Sequence, residues 1–330
     1  MRITIPEARA LLEAVMQRLG HDSGEAAIIA DHLLDSELRG LHQGGLARAI
    51  SIAERLERQP CRREPIRVER QTPLSASIAG GDNIGYLVAR RATELAIEKA
   101  QDSGIAIVGA HDTWYTGMLS YYAEMAVAQG LVAMIASNAT AWVAPHGASE
   151  GRFGTNPICF GFPTGATPMI WDIGTSIVIH ADVLLARRLG KTLPEGVAYD
   201  PQGRLTTDPA AALAGSAFMA WGGAKGAGLG LVVQLLGILA GSTTLPQDLS
   251  GFGFLVVLVK PSLLSGGEDF AARAAEYLEW VRTARPLDPG VPVRVPFERS
   301  TQVRARRLAE GAIEVPDVIH QGLLRLKERS

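Results

Sequence analysis

The chain has 330 residues, 47% of them apolar and 20% charged, with a formal net charge of −2. This composition belongs to a globular protein with a sizeable core, and its charge gives no electrostatic drive toward nucleic acid or an acidic membrane surface. Cys61 and Cys159 lie far apart and outside any Cys-x-x-Cys spacing, which argues against a disulfide framework or a thiolate metal site and fits a reducing cytoplasm.

The amino-terminal stretch MRITIPEARALLEAV mixes acids with its apolar residues and does not read as a signal peptide. Thr4 and Glu7 have capping-box spacing, so a first helix is expected over 5–19, stopped by Gly20. A second is expected over 24–38. The segment RGLHQGGLAR (39–48) then makes a turn, and LARAISIAERLERQ forms a third helix that ends before Pro60. From residue 74 the texture changes to short apolar runs between helical stretches. Strands are expected at 105–110, 131–137, 157–163, 168–173 and 253–260, with helices at 85–103, 117–129, 175–189 and 225–240. The tail is helical again at 266–284, 300–310 and 316–327, broken by RPLDPGVPVRVP. The longest apolar run, LGLVVQLLGILAG (229–241), is too short to span a bilayer.

The fold class expected is therefore α/β, with a mixed sheet. Three parts are expected: helices in 1–73, an α/β unit in 74–262, and carboxy-terminal helices in 263–330 that return to the first part.

Several segments carry candidate chemistry. GGAKGAGLG (222–230) opens a helix with Gly223, Lys225 and Gly226, which suits an anion site but equally suits close helix packing. It lacks the order of a Walker A loop, and no GxGxxG follows a strand, so a Rossmann fold is not indicated. EGRFGTNPICF offers Gly154, Thr155 and Asn156 beside a strand, or a plain turn. WDIGTS places Asp172 at a strand end, then Gly174, Thr175 and Ser176, which could simply cap a helix. No HExxH or clustered ligand spacing supports a metal site.

Taken in order, VAPHG…GTNP, DIGTS, LPEGVAYDPQGRLTTDP, GGAKGAGLGLVVQLL and RVPFER resemble the malate/L-lactate dehydrogenase family over essentially the whole chain. PHGA and IHADV look most like its Δ1-piperideine-2-carboxylate/Δ1-pyrroline-2-carboxylate reductase branch. The resemblance implies a non-Rossmann cofactor fold, a homodimer and hydride transfer from NADPH or NADH to C2 of a cyclic ketimine, imino acid or 2-oxo acid. NADPH is favoured through that branch. It also implies that the dinucleotide lies along Gly154–Asn156, Asp172–Ser176 and Lys225 with Gly223 and Gly226, with His180 and Arg299 as further candidates. His180 could instead be a satisfied buried histidine, and Arg299 a solvated surface charge.

The resemblance breaks at the turn. Family members usually read Arg/Asp-Gly-x-x-Ser-His-Gly there, whereas Gln43 and Gly44 stand here in place of Ser-His. A second family histidine, in Ser-x-His-Phe, is matched by Tyr115. The proton that an alkoxide or amine needs must then come from elsewhere: His42, Tyr115 or Asp182, with Gln43 orienting the substrate. His111 and His146, read as loop residues beside the cleft, are fallback donors. His42 could equally close a helix end, Tyr115 could be a pocket wall, and Asp182 an exposed helix-start acid. His21, His32 and His320 read as surface residues. An alternative is a divergent member that keeps the fold, with or without dinucleotide binding, for a non-redox, binding or regulatory task. The link 241–251 is shorter than is usual in the family.

Overall fold

The computed structural model describes residues 1–165, 167–215, 217–266 and 269–328. The amino-terminal elements are β1 (Arg2–Thr4), α1 (Ile5–Arg18), α2 (Ser23–Leu38) and α3 (Leu46–Arg58). The capping box forms: Thr4 Oγ1 accepts from the Glu7 amide, and Glu7 Oε2 accepts from the Thr4 amide at 2.8 Å. Asp22 caps α2 by accepting from the Glu25 amide.

The central part runs β2 (Arg67–Gln71), β3 (Ser75–Ile84), α4 (Gly85–Ser103), β4 (Ile105–Trp114), α5 (Leu119–Val127), β5 (Val132–Ser137), β6 (Val143–Ala144), β7 (Ile158–Phe162), β8 (Met169–Ile173), α6 (His180–Arg188), β9 (Ala198–Tyr199), α7 (Pro209–Gly215), β10 (Ala217–Met219), α8 (Ala224–Leu239) and β11 (Phe252–Val259). The chain closes with α9 (Ser262–Ser265), α10 (Phe270–Arg282), α11 (Glu298–Glu310), β12 (Ala312–Glu314) and α12 (Asp317–Glu328).

Seven strands form the main sheet in the order β2-β3-β4-β11-β5-β7-β8, and among these neighbours β3–β4 alone is parallel. A doubly wound nucleotide fold needs a mostly parallel sheet, so this mixed sheet is not one. Val108, Ile135, Phe254 and Val256 fill the core under α4 and α5. A three-stranded sheet, β6-β10-β9, carries α6 and α7 over a separate small core that includes Val183 and Phe218. The two chain ends meet. β1 pairs antiparallel with β12, placing Ile3 opposite Ile313, and α12 packs on α1 and α3.

Some elements differ from the sequence reading. Helix α6 starts at His180 rather than at 175, because Ile177 donates to Met219 O and Trp221 to Thr175 O, at 2.9 Å each. Those bonds tie 175–177 to the small sheet as extended chain. Strand β3 escapes the pattern because Gly80 and Gly81 interrupt it, with Gly81 at φ +64°. His21 and His32 are buried, not on the surface. The His32 ring lies 4.4 Å from Tyr121 and 4.7 Å from Tyr86, and its Nε2 accepts from the Met118 amide. Burial holds the His32 imidazole down at about 3, hence neutral.

Candidate active site

A cavity of about 490 Å³ opens between the amino-terminal helices α2 and α3 and the β8–α6 side of the α/β part. That is within the size range of small-molecule sites. It is built from four directions. The turn after α2 supplies Gln43 and Gly44, and α3 supplies Arg48. The end of β4 supplies Tyr115, the end of β8 supplies Asp172, and the segment after it supplies Gly174 and Ser176. The start of α6 contributes His180 and Asp182, while Thr155 and Trp142 complete the wall.

Tyr115 is held in the left-handed region at φ +50°, where a non-glycine residue is strained. The close passage of α4 keeps it there: a Cβ on Gly85 would sit 2.7 Å from Thr116 Cα. The Tyr115 ring lies beneath the Arg48 guanidinium, 4.4 Å from centroid to Cζ. Arg48 Nη1 is buried with no hydrogen-bond partner, and no carboxylate pairs with Arg48 among the described residues.

His180 stacks on Trp142 with ring centroids 3.8 Å apart and planes 10° from parallel. Burial, reinforced by Arg48, Arg58, Arg188 and Arg187, pushes its imidazole down to about 3, so it is neutral. Its Nδ1 is buried without a partner, as is Ser176 Oγ. His180 is therefore not a satisfied core histidine. Asp182 is not the exposed acid of the simpler sequence reading. One oxygen accepts from the Ile179 amide at 3.0 Å, and burial raises the carboxyl above the usual range against the opposing pull of that bond and of Arg48. Asp172 is likewise raised by burial and accepts from the Ser120 amide at 2.7 Å.

Other candidates are placed elsewhere. His42 is turned away: Nδ1 pairs with Glu37 Oε1, and its ring does not line the cavity. Asn156 spends its amide within the fold, accepting from Ala139 N and donating to Gly230 O and Gln234. Gly154 sits where a Cβ would meet Ala139 O at 2.5 Å, and Thr175 donates to Thr155 O. Gly223 and Gly226 shape the start of α8, and Lys225 is exposed there, outside the cavity lining. Arg299 is exposed on α11. His111 is not a loop residue: it lies in β4, beside Glu69 at 3.1 Å and away from this cavity. His146 is exposed near Gly223. No group of three or more His, Cys, Asp or Glu suited to a metal ion occurs among the described residues.

Arg48 and Trp142 are not among the sequence candidates. A signal for Arg48 exists in the sequence. Arg48, Arg55 and Arg58 recur at spacings that put them on one stripe of a helix whose neighbouring positions are apolar.

The orphaned atoms in this cavity suit a nicotinamide group and its ribose, which offer amide and hydroxyl partners to Ser176 Oγ and His180 Nδ1. Comparison with known proteins identifies the family. The profile of the malate/L-lactate dehydrogenase family matches residues 3–324. The L-sulfolactate dehydrogenase of Methanothermobacter thermautotrophicus is 32% identical over 98% of this chain and 96% of its own. The Δ1-pyrroline-2-carboxylate/Δ1-piperideine-2-carboxylate reductase of Pseudomonas putida is 33% identical, covering 99% and 96%. The crystal structure of a dehydrogenase from Sinorhizobium meliloti superposes with a TM-score of 0.91 at 34% identity, covering 99% of this chain and 98% of that one. The chain belongs to the malate/L-lactate dehydrogenase family of oxidoreductases.

Proposed function

We propose that the protein is an NAD(P)H-dependent reductase of a cyclic ketimine or related imino or 2-oxo acid, with NADPH as the preferred reductant. The observation that carries this reading is Arg48, a half-buried guanidinium whose buried Nη1 has no partner, in the same cavity as Asp182, a carboxyl that burial raises above the usual carboxylate range. A guanidinium in that state suits a substrate carboxylate, and charge-assisted pairs of this kind are strong and orienting. Thr155, Ser176, His180 and the Asp172–Gly174 turn would hold the nicotinamide end. The reduced cofactor supplies a hydride to C2 when bound.

The chain's own task is to orient the acid and manage one proton. A ketimine that enters protonated at nitrogen needs no further proton when hydride reaches C2. One that enters neutral takes a proton from Asp182, which leaves the carboxylate facing Arg48. A neutral His180 cannot serve as the acid, because it carries no extra proton near neutral pH. Gln43 can accept or donate a hydrogen bond but cannot ionise. This division accommodates the missing imidazoles, since an imine depends less on a strong acid than a ketone does.

We further propose a homodimer. Leu231, Val232, Leu235 and Leu239 of α8 are exposed, and Leu239 lines one groove with the exposed Ile107 of β4. Such an exposed apolar helix face suits a second copy. Among the described residues no helix is long and apolar enough to cross a membrane.

The test is cofactor oxidation with Δ1-piperideine-2-carboxylate, Δ1-pyrroline-2-carboxylate and pyruvate. Turnover of an imine is expected. Cofactor binding without oxidation of any substrate would instead favour the divergent, non-redox reading.

A further inference from the structure

Helix α3 rests on the end of β4 through two stacked cations. Arg55 Cζ lies 4.2 Å from the ring centroid of Trp114, and Arg48 Cζ lies 4.4 Å from that of Tyr115. The two arginines are two turns apart on one side of the helix, whereas the two aromatics are neighbours in the chain. Neighbours in an extended strand point to opposite faces. Strand β4 ends at Trp114, and the left-handed backbone of Tyr115, at φ +50°, breaks that alternation so that both rings meet the same helix. Their centroids are 5.6 Å apart, with planes inclined at 57°.

The two stacks are built alike and used differently. Arg55 and Trp114 are each 1% exposed. Arg55 donates to Gln59 O at 2.9 Å and to Asp82 and Leu249 O at 3.4 Å each, and the Trp114 indole donates to Asp82 O at 3.1 Å. That stack is a fastening within the fold. Arg48 and Tyr115 instead line the cavity, and Arg48 Nη1 is buried without a partner. Stacking covers the face of a guanidinium and leaves its in-plane N–H fork free. A ring beneath Arg48 therefore fixes the plane in which the fork meets a carboxylate, and consumes no donor. Without that ring, each binding event would have to immobilise a long, freely rotating side chain. The backbone end of Arg48 is held as well. The Leu46 amide that opens its helix donates to Glu37 at 3.0 Å, and the Arg48 amide donates to Gly45 O at 2.9 Å.

We propose that Tyr115 is a positioning residue, whose ring is the shelf that holds the Arg48 guanidinium in the orientation that receives the substrate carboxylate. The assignment rests on the reading of the cavity as an imino- or oxo-acid reductase site. It gives Tyr115 a task other than proton donation. The reaction uses the π face of this side chain and not its hydroxyl.

The experiment titrates the cofactor-free protein calorimetrically with pyrrole-2-carboxylate and pyrrole-2-carboxamide, planar rings that differ only at the acid group. The native protein is expected to favour the carboxylate about tenfold or more. Tyr115→Leu removes the π face and should remove most of that preference. Tyr115→Phe keeps the face and should restore the preference to within about threefold of native. In an Arg48→Gln background, Tyr115→Leu should change the preference by less than about twofold, because its effect passes through the guanidinium. With Δ1-piperideine-2-carboxylate, Tyr115→Leu should raise KM about tenfold and leave kcat within about threefold. A Tyr115→Phe variant that loses the preference or the turnover would make the hydroxyl the working group and overturn the proposal, even if Tyr115→Leu does not fold. Equal weakening of both probes by Tyr115→Leu would reduce the ring to a pocket wall and overturn it too, as would equal binding of both by the native protein. If the preference follows Tyr115 and Arg48 but no imine or oxo acid is reduced, the shelf stands and the reductase reading fails. Turnover of an imine with an unchanged KM in Tyr115→Leu would sink the shelf alone.

Discussion

The α2–α3 turn and the β8–α6 segment border the same cavity but treat their polar atoms in opposite ways. In the turn, Glu37 accepts from the Leu46 amide at 3.0 Å and pairs with His42, while its carbonyl accepts from Arg307. The turn satisfies itself. Along β8–α6, Ser176 Oγ and His180 Nδ1 are buried without partners, and the Asp182 carboxyl is raised by burial. Each orphaned buried group costs roughly 1–3 kcal/mol, so a ligand that supplies the partner recovers it. Sequence resemblance directs attention to the turn for a proton donor. The hydrogen-bond pattern directs it to the other wall.

The strongest way to break this contrast is at Asp182. Asp182→Asn is expected to lower kcat by about 100-fold or more, the usual scale for removing a general acid. Because burial raises this carboxyl, it stays protonated to a higher pH than an ordinary aspartate. The rate in the native protein should therefore fall as pH rises through that raised value, and a kcat–pH profile of the variant should lack that limb. Arg48→Gln comes next. The loss of one charge-assisted carboxylate contact, about 3 kcal/mol, should reduce kcat/KM about 100-fold, mainly through KM.

A smaller but sharper test concerns GGAKG. A Cβ on Gly226 would stand 1.7 Å from Trp221 O. Gly226→Ala should cost about 3 kcal/mol in a urea melt, whether or not cofactor is present. By contrast, His42→Ala should change kcat/KM by less than about threefold and cost about 1 kcal/mol of stability, as for a half-exposed ion pair. A large kinetic loss there would restore the turn as the proton source.

Acid stability probes the buried histidines. His32 and His180 are neutral when folded, each near about 3, against 6.5 for an ordinary histidine. The unfolded chain takes up these protons first as pH falls. Their contribution is complete above 6.5 and is lost as pH drops toward about 3. Thermal melts from pH 7 downward should show this decline, and His32→Gln should flatten it.

Much of the fold is legible in the sequence because periodicity and caps are local. Helix α4 spans the expected 85–103, and strand β11 is displaced from the expected 253–260 by one residue. The short strands β6, β9 and β10 are not legible, since pairing across the chain makes them strands. The site divides in the same way. Asp182, Tyr115 and Gln43 are identified by position in motifs, and the structure brings them to one cavity. Arg48 is only partly legible: its spacing from Arg55 and Arg58 puts it on one stripe of α3, but the stripe does not show which of these cations reaches the cavity. His32 misleads for a related reason: three tyrosines from α4 and α5 enclose it, and nothing in its own helix announces them.

The most direct test of the central claim is steady-state oxidation of NADPH by Δ1-piperideine-2-carboxylate with the native protein, Asp182→Asn and His42→Ala side by side. At a pH where the imine enters neutral, the account predicts turnover by the native protein, near-native turnover by His42→Ala, and a loss of about 100-fold in Asp182→Asn. Collapse of His42→Ala with Asp182→Asn still active would contradict it.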